Sequence, residues 1–428
     1  MAKDLVLKVN KFKAINSAEI ELDGITVLAG TNSCGKSTIS KLLFGLFHTQ
    51  ENFEDLVSKN LSSDTLWLRD FAFFLFQIIS KTQISFESFD FLRWNRNAAF
   101  TDQCVQLKDA TAQIVKKIHD ANILKSDADK LLKLMQQACK NCNVSFPPRG
   151  NLDEILTNTI DTIINRNQEV LNNRDIRILN NQFERLFHLA NVSNYFKFYQ
   201  QDFPLMNEKS ISPCIAIQKA VYIDTPMIID LFSSGVRTSF YGNEYPVYWE
   251  YLFSIISKKN NIARKNVLLK KHISQTIEGS IEKLENNGRF FYKPKDSQEA
   301  FELDQCASGI KSFALLERLL DTGYLDNQTL LIVDEPEVHL HPQWVVKYAQ
   351  MLVLLHKKLG VRILVSSHDP DFVSAIKYMG QKAELGQAVK FYFARKKGAR
   401  YDFLPQGNDI SAIFTSFNQA LTEIRKYK

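Results

Sequence analysis

An apolar run, a loop flanked by glycines and an amphipathic segment follow one another at ITVLAGTNSCGKSTISKLLFGLF, residues 25–47. Gly30-Thr31-Asn32-Ser33-Cys34-Gly35-Lys36-Ser37 fits G-x-x-x-x-G-K-[ST]. ITVLA reads as a buried strand. Ile39, Leu42, Leu43 and Leu46 recur at helical spacing. Strand, glycine loop, helix is the order a phosphate cradle needs. Glycines let backbone N–H groups curl around phosphate oxygens, and a helix N-terminus adds partial positive charge. Gly30, Asn32, Ser33, Cys34, Gly35, Lys36, Ser37 and Thr38 are therefore the candidate ATP contacts. Lys36 is expected on the β- and γ-phosphates, and Ser37 on Mg2+.

A second apolar run, Thr329 to Val333, ends in Asp334-Glu335. This reads as a buried parallel strand with two carboxylates at its C-terminal end, where α/β sheets place ligands. Asp334 suits Mg2+, directly or through water. Glu335 suits a base that polarises the attacking water. VRILVSSHDPDF reads as another strand, ending in Ser366-Ser367-His368. His368 there is either a capping or core histidine or a γ-phosphate contact. Upstream, CASGIKSFALLERLL opens a helix at Ser308-Gly309. The two residues are an ordinary helix start, or they offer free N–H groups to a phosphate held by another subunit.

Taken in order, GTNSCGKST, ASGIKS, LLIVDEPEVHLHP and SSHDPDF resemble the ABC-type ATPases of the RecF, SMC, Rad50 and OLD group. VNKFKAINSAEIELDG is similar to the opening strands of that group, and DEPEVHLHP to OLD-type defence ATPases. The resemblance covers roughly residues 1–50 and 280–380. It implies an α/β fold: an ABC-ATPase head with a phosphate loop and a mixed sheet. It also implies a head-to-head dimer, with ATP held between the phosphate loop of one chain and Ser308, Gly309 and Lys311 of the other. Lys36, Ser37, Asp334, Glu335 and His368 match the motifs directly. ASGIKS departs from the longer LSGGQ-like form. No glutamine stands in a clear Q-loop context; Gln50, Gln77 and Gln83 all follow the first helix.

The expected division is a head in two parts, 1–50 and 276–428, around a mainly helical insertion over 51–275. Within the insertion, VQLKDATAQIVKKIHDANILKSDADKLLKLMQQACKNC reads as helix with a break at Ser126, which opens S-x-x-D. Leu156, Ile160, Ile163 and Val170 mark a second helix, and Pro147-Pro148 with Gly150 a turn. A short hairpin arm follows, about 30–45 Å long at 1.5 Å per residue. Cys139 and Cys142 near its tip are structural, zinc-binding with a second chain, or redox-active. AVYIDTPMIIDLF reads as a strand that rejoins the sheet, and FYFARKKGARYDFL as a hairpin around Lys397-Gly398.

The formal net charge of +6 permits an acidic partner without requiring one. Lys258, Lys259, Arg264, Lys265, Lys270 and Lys271 form a basic segment that suits nucleic acid or a solvated face. Six cysteines without disulfide rhythm fit a reducing cytoplasm. The longest apolar stretch, Phe71 to Ile79, is too short for a membrane span. After His368 there are 60 residues, too few for the nuclease domain of OLD-type proteins. The resulting expectation is a slow ATPase switch, using ATP and Mg2+, that controls a separate nuclease or toxin in bacterial antiviral defence. It resembles the ATPase subunits of Septu, PARIS and retron-associated systems. A DNA-repair ATPase of the RecF or Rad50 kind is the alternative.

Overall fold

The computed structural model describes residues 5–80, 95, 98–121, 123–147, 149–233, 245–258, 264–283, 289–407 and 409–417. In chain order the first strands are β1 (Leu5–Phe12), β2 (Ile15–Glu21), β3 (Ile25–Ala29), β4 (Phe196–Gln200), β5 (Phe203–Pro204) and β6 (Lys219–Ile223). A separate three-stranded sheet comprises β7 (Gly279–Lys283), β8 (Phe290–Pro294) and β9 (Phe301–Glu302). Then come β10 (Thr329–Asp334), β11 (Arg362–Ser367), β12 (Val389–Lys397) and β13 (Arg400–Pro405). The main sheet has ten strands in the order β5-β4-β1-β2-β13-β12-β3-β11-β10-β6.

The sheet is mixed for a reason visible in the sequence. β12, β3, β11, β10 and β6 run parallel, and β3, β10 and most of β11 are buried residue by residue. Such strands read as continuous apolar runs because helices cover both faces. β1 instead alternates buried and exposed residues and pairs antiparallel with β2 and β4, as a half-solvated sheet does. The predicted C-terminal hairpin is β12–β13, turning at Gly398 with φ 62°.

Helix α1 (Lys36–Glu51) leaves the loop after β3 and packs on β6 and β10. The chain divides into two compact units: 1–51 with 179–428, and 52–178. The helical unit therefore ends near residue 178 rather than at the expected 275. The stretch beyond it supplies β4, which pairs with β1, and β6, which extends the sheet past β10. The smaller unit holds α2 (Phe53–Asp64), α3 (Trp67–Ser80), α4 (Phe100–His119), α5 (Lys125–Asn141) and α6 (Leu152–Asn172). Asn151 and Glu154 close a capping box at the start of α6, whose Leu156, Ile160, Ile163 and Val170 are buried as the spacing predicts. The break between α4 and α5 falls before Ser126, at Asp120–Leu124, and Leu124 makes no side-chain cap. The unit is not a two-helix arm: α2 packs on α4 and α6, and α3 on α5. Pro148 and Gln83 lie outside the described residues, as do Lys259 and the side chains of Arg264 and Lys265.

Helix α7 (Ile176–Phe187) leads to β4. After β6 come α8 (Ile228–Ser233), α9 (Val247–Ile256), α10 (Arg264–Thr276), α11 (Ser308–Asp321), α12 (Pro342–Leu359) and α13 (Pro370–Lys382). Phe313, Leu316, Tyr348, Leu352 and Phe372 bury against Val27, Leu331, Val333, Ile363 and Val365 of the parallel strands. Behind them a charged cluster is enclosed. Lys270 of α10 lies 3.4 Å from Glu317 and 2.5 Å from Asp321, both on α11. Arg318 lies 3.0 Å from Asp321. Lys270, with a quarter of its side chain exposed, is thus engaged by two carboxylates rather than standing as a free surface cation.

Burial pushes the Glu317 carboxyl up to about 7 against the pull of Lys270. The folded state then keeps a proton that the unfolded chain loses above its ordinary value of 4.5. Stability falls as pH rises from that value to about 7, by up to about 3 kcal/mol at 1.36 kcal/mol per pKa unit. Glu317→Gln removes this slope. The variant is expected to gain stability over the parent at pH 8 and to lose that advantage at pH 4, read from urea unfolding at both pH values.

Candidate active site

Register, not sequence proximity, assembles this site. Ala29 of β3 pairs with Ser367 of β11, and Ser366 pairs with Asp334 of β10. Three neighbouring parallel strands therefore end level, and whatever follows each of them emerges at one edge. The phosphate loop follows β3, Glu335 follows β10 and His368 follows β11.

The loop has the conformation the glycine spacing predicts. Ser33 and Gly35 lie at φ 63° and 104°. A Cβ on Gly35 would stand 2.8 Å from Cγ1 of Ile15, so glycine is required there by conformation and by contact. Lys36 is buried at 4% exposure; its Nζ donates to the carbonyls of Gly30 at 2.9 Å and Thr31 at 3.1 Å. The same ammonium lies 3.5 Å from Oε1 of Glu335. A cleft of about 420 Å³ is lined by Lys13, Ala14, residues 32–38 and Glu335.

Glu335 sits at φ 46°, ψ 54°. A left-handed glutamate costs about 1–3 kcal/mol and persists where the surroundings over-determine it. Its N–H donates to the Ser366 carbonyl at 2.9 Å, which fixes the turn against β11. Asp334 is 8% exposed; its Oδ2 accepts from the Tyr222 hydroxyl of β6 at 2.8 Å. Its Oδ1 is buried without a hydrogen-bond partner. Burial pushes this carboxyl up, against the pull of the Ser37 and Tyr222 hydroxyls. An unpaired carboxylate oxygen beside a serine hydroxyl is a donor set that suits a hard divalent cation such as Mg2+. Such a cation would neutralise phosphate charge. Nδ1 of His368 lies 3.4 Å from Oε1 of Glu335 and 3.4 Å from Oε1 of Glu337.

Tyr222→Phe tests the support of Asp334. It leaves a buried acceptor unpaired, which costs about 1–3 kcal/mol. The expected results are that loss in urea unfolding and a higher Mg2+ concentration for half-maximal turnover.

At α11, Ser308 Oγ donates to the His339 carbonyl at 2.8 Å, and no side chain caps the helix. A Cβ on Gly309 would come within 2.6 Å of Trp344, which explains the glycine by packing. Lys311 is placed otherwise than expected. It is buried, donates to Asp230 at 2.7 Å and to the Asp304 carbonyl at 2.8 Å, and so does not project from the helix tip. Gln50 is also occupied elsewhere, bonded to the Ser212 carbonyl and the Cys214 N–H. Gln77 lies on α3, in the helical unit.

Cys139 and Cys142 do not form a surface hook. Both are buried within the helical unit, Cys142 against the Asp64 carbonyl, and burial pushes the Cys142 thiol up to about 11. Enclosure of both thiols supports the structural reading of the pair. Among the described residues no group of three or more His, Cys, Asp or Glu could hold a metal ion.

The motifs did not identify Lys13, Tyr222 or Glu337. Lys13 sits at φ 50° in the two-residue turn that pairs Phe12 with Ile15. A tight turn between two alternating strands was the available signal for it. Tyr222 comes beside Asp334 only through strand order. Glu337 was visible as the second acid of DEPE.

Similarity to known proteins is broad in coverage and low in identity. A family model described as an AAA ATPase domain matches residues 6–373. No curated protein matches the chain. Among solved structures, the Smc head domain with an extended coiled coil from Pyrococcus furiosus, bound to the C-terminal domain of ScpA, is 10% identical. Coverage is 98% of each chain and the TM-score 0.34. The SMC head domain from Thermotoga maritima is 11% identical over 95% of this chain and 99% of its own, with a TM-score of 0.35. An ATP-binding cassette of an ABC transporter, in its ADP conformation, is 10% identical over all of both chains, with a TM-score of 0.37.

Proposed function

The chain belongs to the AAA ATPase domain family, and from that membership we propose that it binds and slowly hydrolyses ATP as a dimeric switch. One observation carries the reading: Lys36, Asp334, Glu335 and His368 meet where β3, β10 and β11 end side by side. Lys36 holds the β- and γ-phosphates, and Ser37 with Asp334 would hold Mg2+. Glu335 polarises the attacking water, and His368 engages the γ-phosphate. The uncapped tip of α11, at Ser308 and Gly309, meets the nucleotide of a second copy. Lys311 joins that contact only if it leaves Asp230.

The switch controls a separate nuclease or toxin in antiviral defence, a reading supported by the DEPEVHLHP motif and the motif order. Among the described residues no helix is long and apolar enough to cross a membrane. Mass photometry of the parent with ATP and Mg2+ is the test of the dimer. A chain that stays monomeric at every concentration overturns it. Affinity capture from the native host, followed by partner identification, tests the defence role. Strong duplex-DNA binding by the isolated chain, weakening steeply with salt, would instead favour the repair reading.

A further inference from the structure

Glu337 has no part in the roles assigned above, yet its carboxylate bonds to two groups of the β11 end and lies against the His368 ring. It lies in a short 3-10 turn, Pro336–His339, directly after Glu335. Its side chain is 6% exposed. Oε1 accepts from the Ser367 hydroxyl at 2.8 Å and from the His368 backbone N–H at 2.9 Å. The Ser367 oxygen in turn accepts from the Asp369 N–H at 3.1 Å. Asp369 caps α13 through the Phe372 N–H at 2.6 Å. One carboxylate thus ties the end of β10 to the whole turn from β11 into α13.

The ring of His368 is held in the same place. Its Nδ1 is buried, and a carboxylate oxygen of Glu335 and one of Glu337 each lie 3.4 Å from it, without the alignment of a hydrogen bond. Both acceptor oxygens face Nδ1, so a hydrogen bond from the ring to either of them must come from that nitrogen. Oε2 of Glu337 is buried without a partner, so the group is kept there at a desolvation cost. Such a cost calls for a reason beyond filling space.

We propose that Glu337 is the positioning residue of the switch histidine. It anchors the Ser367–Asp369 turn and keeps His368 as the Nδ1–H tautomer, which leaves Nε2 for the nucleotide. This rests on the ATPase reading for its consequence, though not for its geometry.

The test compares Glu337→Ala and Glu337→Gln in the full-length protein. The amide oxygen of Gln can still accept from Ser367 and His368; Ala cannot. Glu337→Ala is expected to lower kcat by about 10–100-fold with KM within about threefold, since misplacing a reacting group by about an ångström costs that much. Glu337→Gln is expected to recover at least about tenfold of that loss. In protein labelled with 15N-histidine, the His368 signal, assigned by its loss in His368→Gln, should report Nδ1–H in the parent and move toward Nε2–H in Glu337→Ala. Gln performing no better than Ala overturns the acceptor role. An unmoved tautomer in Glu337→Ala overturns the positioning role, even where kcat falls. If the parent turns over no ATP, the ATPase reading fails while the tautomer measurement still decides this one.

Discussion

Glu335→Gln should abolish most turnover and leave ATP-bound dimers in solution. Loss of a general base costs about 10²–10⁴-fold in rate. Glutamine keeps the shape and cannot take the water's proton. The structure gives two reasons to expect the effect to be confined to chemistry. The Glu335 side chain is 34% exposed, so the substitution buries no new polar group. Its turn is fixed by the bond from its N–H to Ser366, which the substitution retains. Two partners do change: Lys36, 3.5 Å away, and His368, 3.4 Å away, each lose a carboxylate; with less negative charge beside Lys36, ATP affinity should hold or improve. Steady-state phosphate release and mass photometry with ATP and Mg2+ check both halves. Turnover at the parental rate would remove Glu335 from the base role.

Lys36→Ala should instead remove nucleotide binding. Lys36 is nearly enclosed and spans its own loop by two hydrogen bonds to Gly30 and Thr31. An incoming phosphate would exchange those neutral acceptors, and the neighbouring Glu335, for charged oxygens. Charge-assisted bonds of this kind are about twice as strong as neutral ones. Without Lys36 the loop loses its only cationic contact in the cleft apart from Lys13, among the described residues lining it. ATP binding, measured with a fluorescent analogue, should weaken by at least about 100-fold, since about 3 kcal/mol is at stake. Retention of parental affinity would refute the phosphate-loop assignment. The pair is diagnostic together: one variant binds without turning over, and the other does neither.

Much of the arrangement around the phosphate loop was legible because it is local. Gly35 must be glycine for its φ of 104°, and that requirement shows as a fixed offset in the chain. The apolar runs of β3, β10 and β11 betray strands buried on both faces. Those runs ending in Asp334-Glu335 and Ser367-His368 then placed the carboxylates and the imidazole correctly at strand ends. The helical insertion was less legible. Its helices carry clear apolar periods, but periodicity does not say how many helices share one core. So α2 and α3 are not among the expected helices, and the compact helical unit, 52–178, occupies the first part of the expected 51–275 insertion.

Cys139, Cys142 and Lys311 share one lesson: residue type left a metal or phosphate role open, and burial places each side chain inside the fold. A helical lysine can turn toward solvent or toward a carboxylate, and only its neighbours across the fold decide which. Spacing along the chain settled which groups could cradle a phosphate and carry a base, because a glycine loop and a strand end are defined by a few consecutive residues. Strand order settled the rest. Tyr222 and Asp334 are 112 positions apart, and they meet only because β6 and β10 lie side by side. Hydrogen-bonded register between distant strands leaves no mark in any one of them.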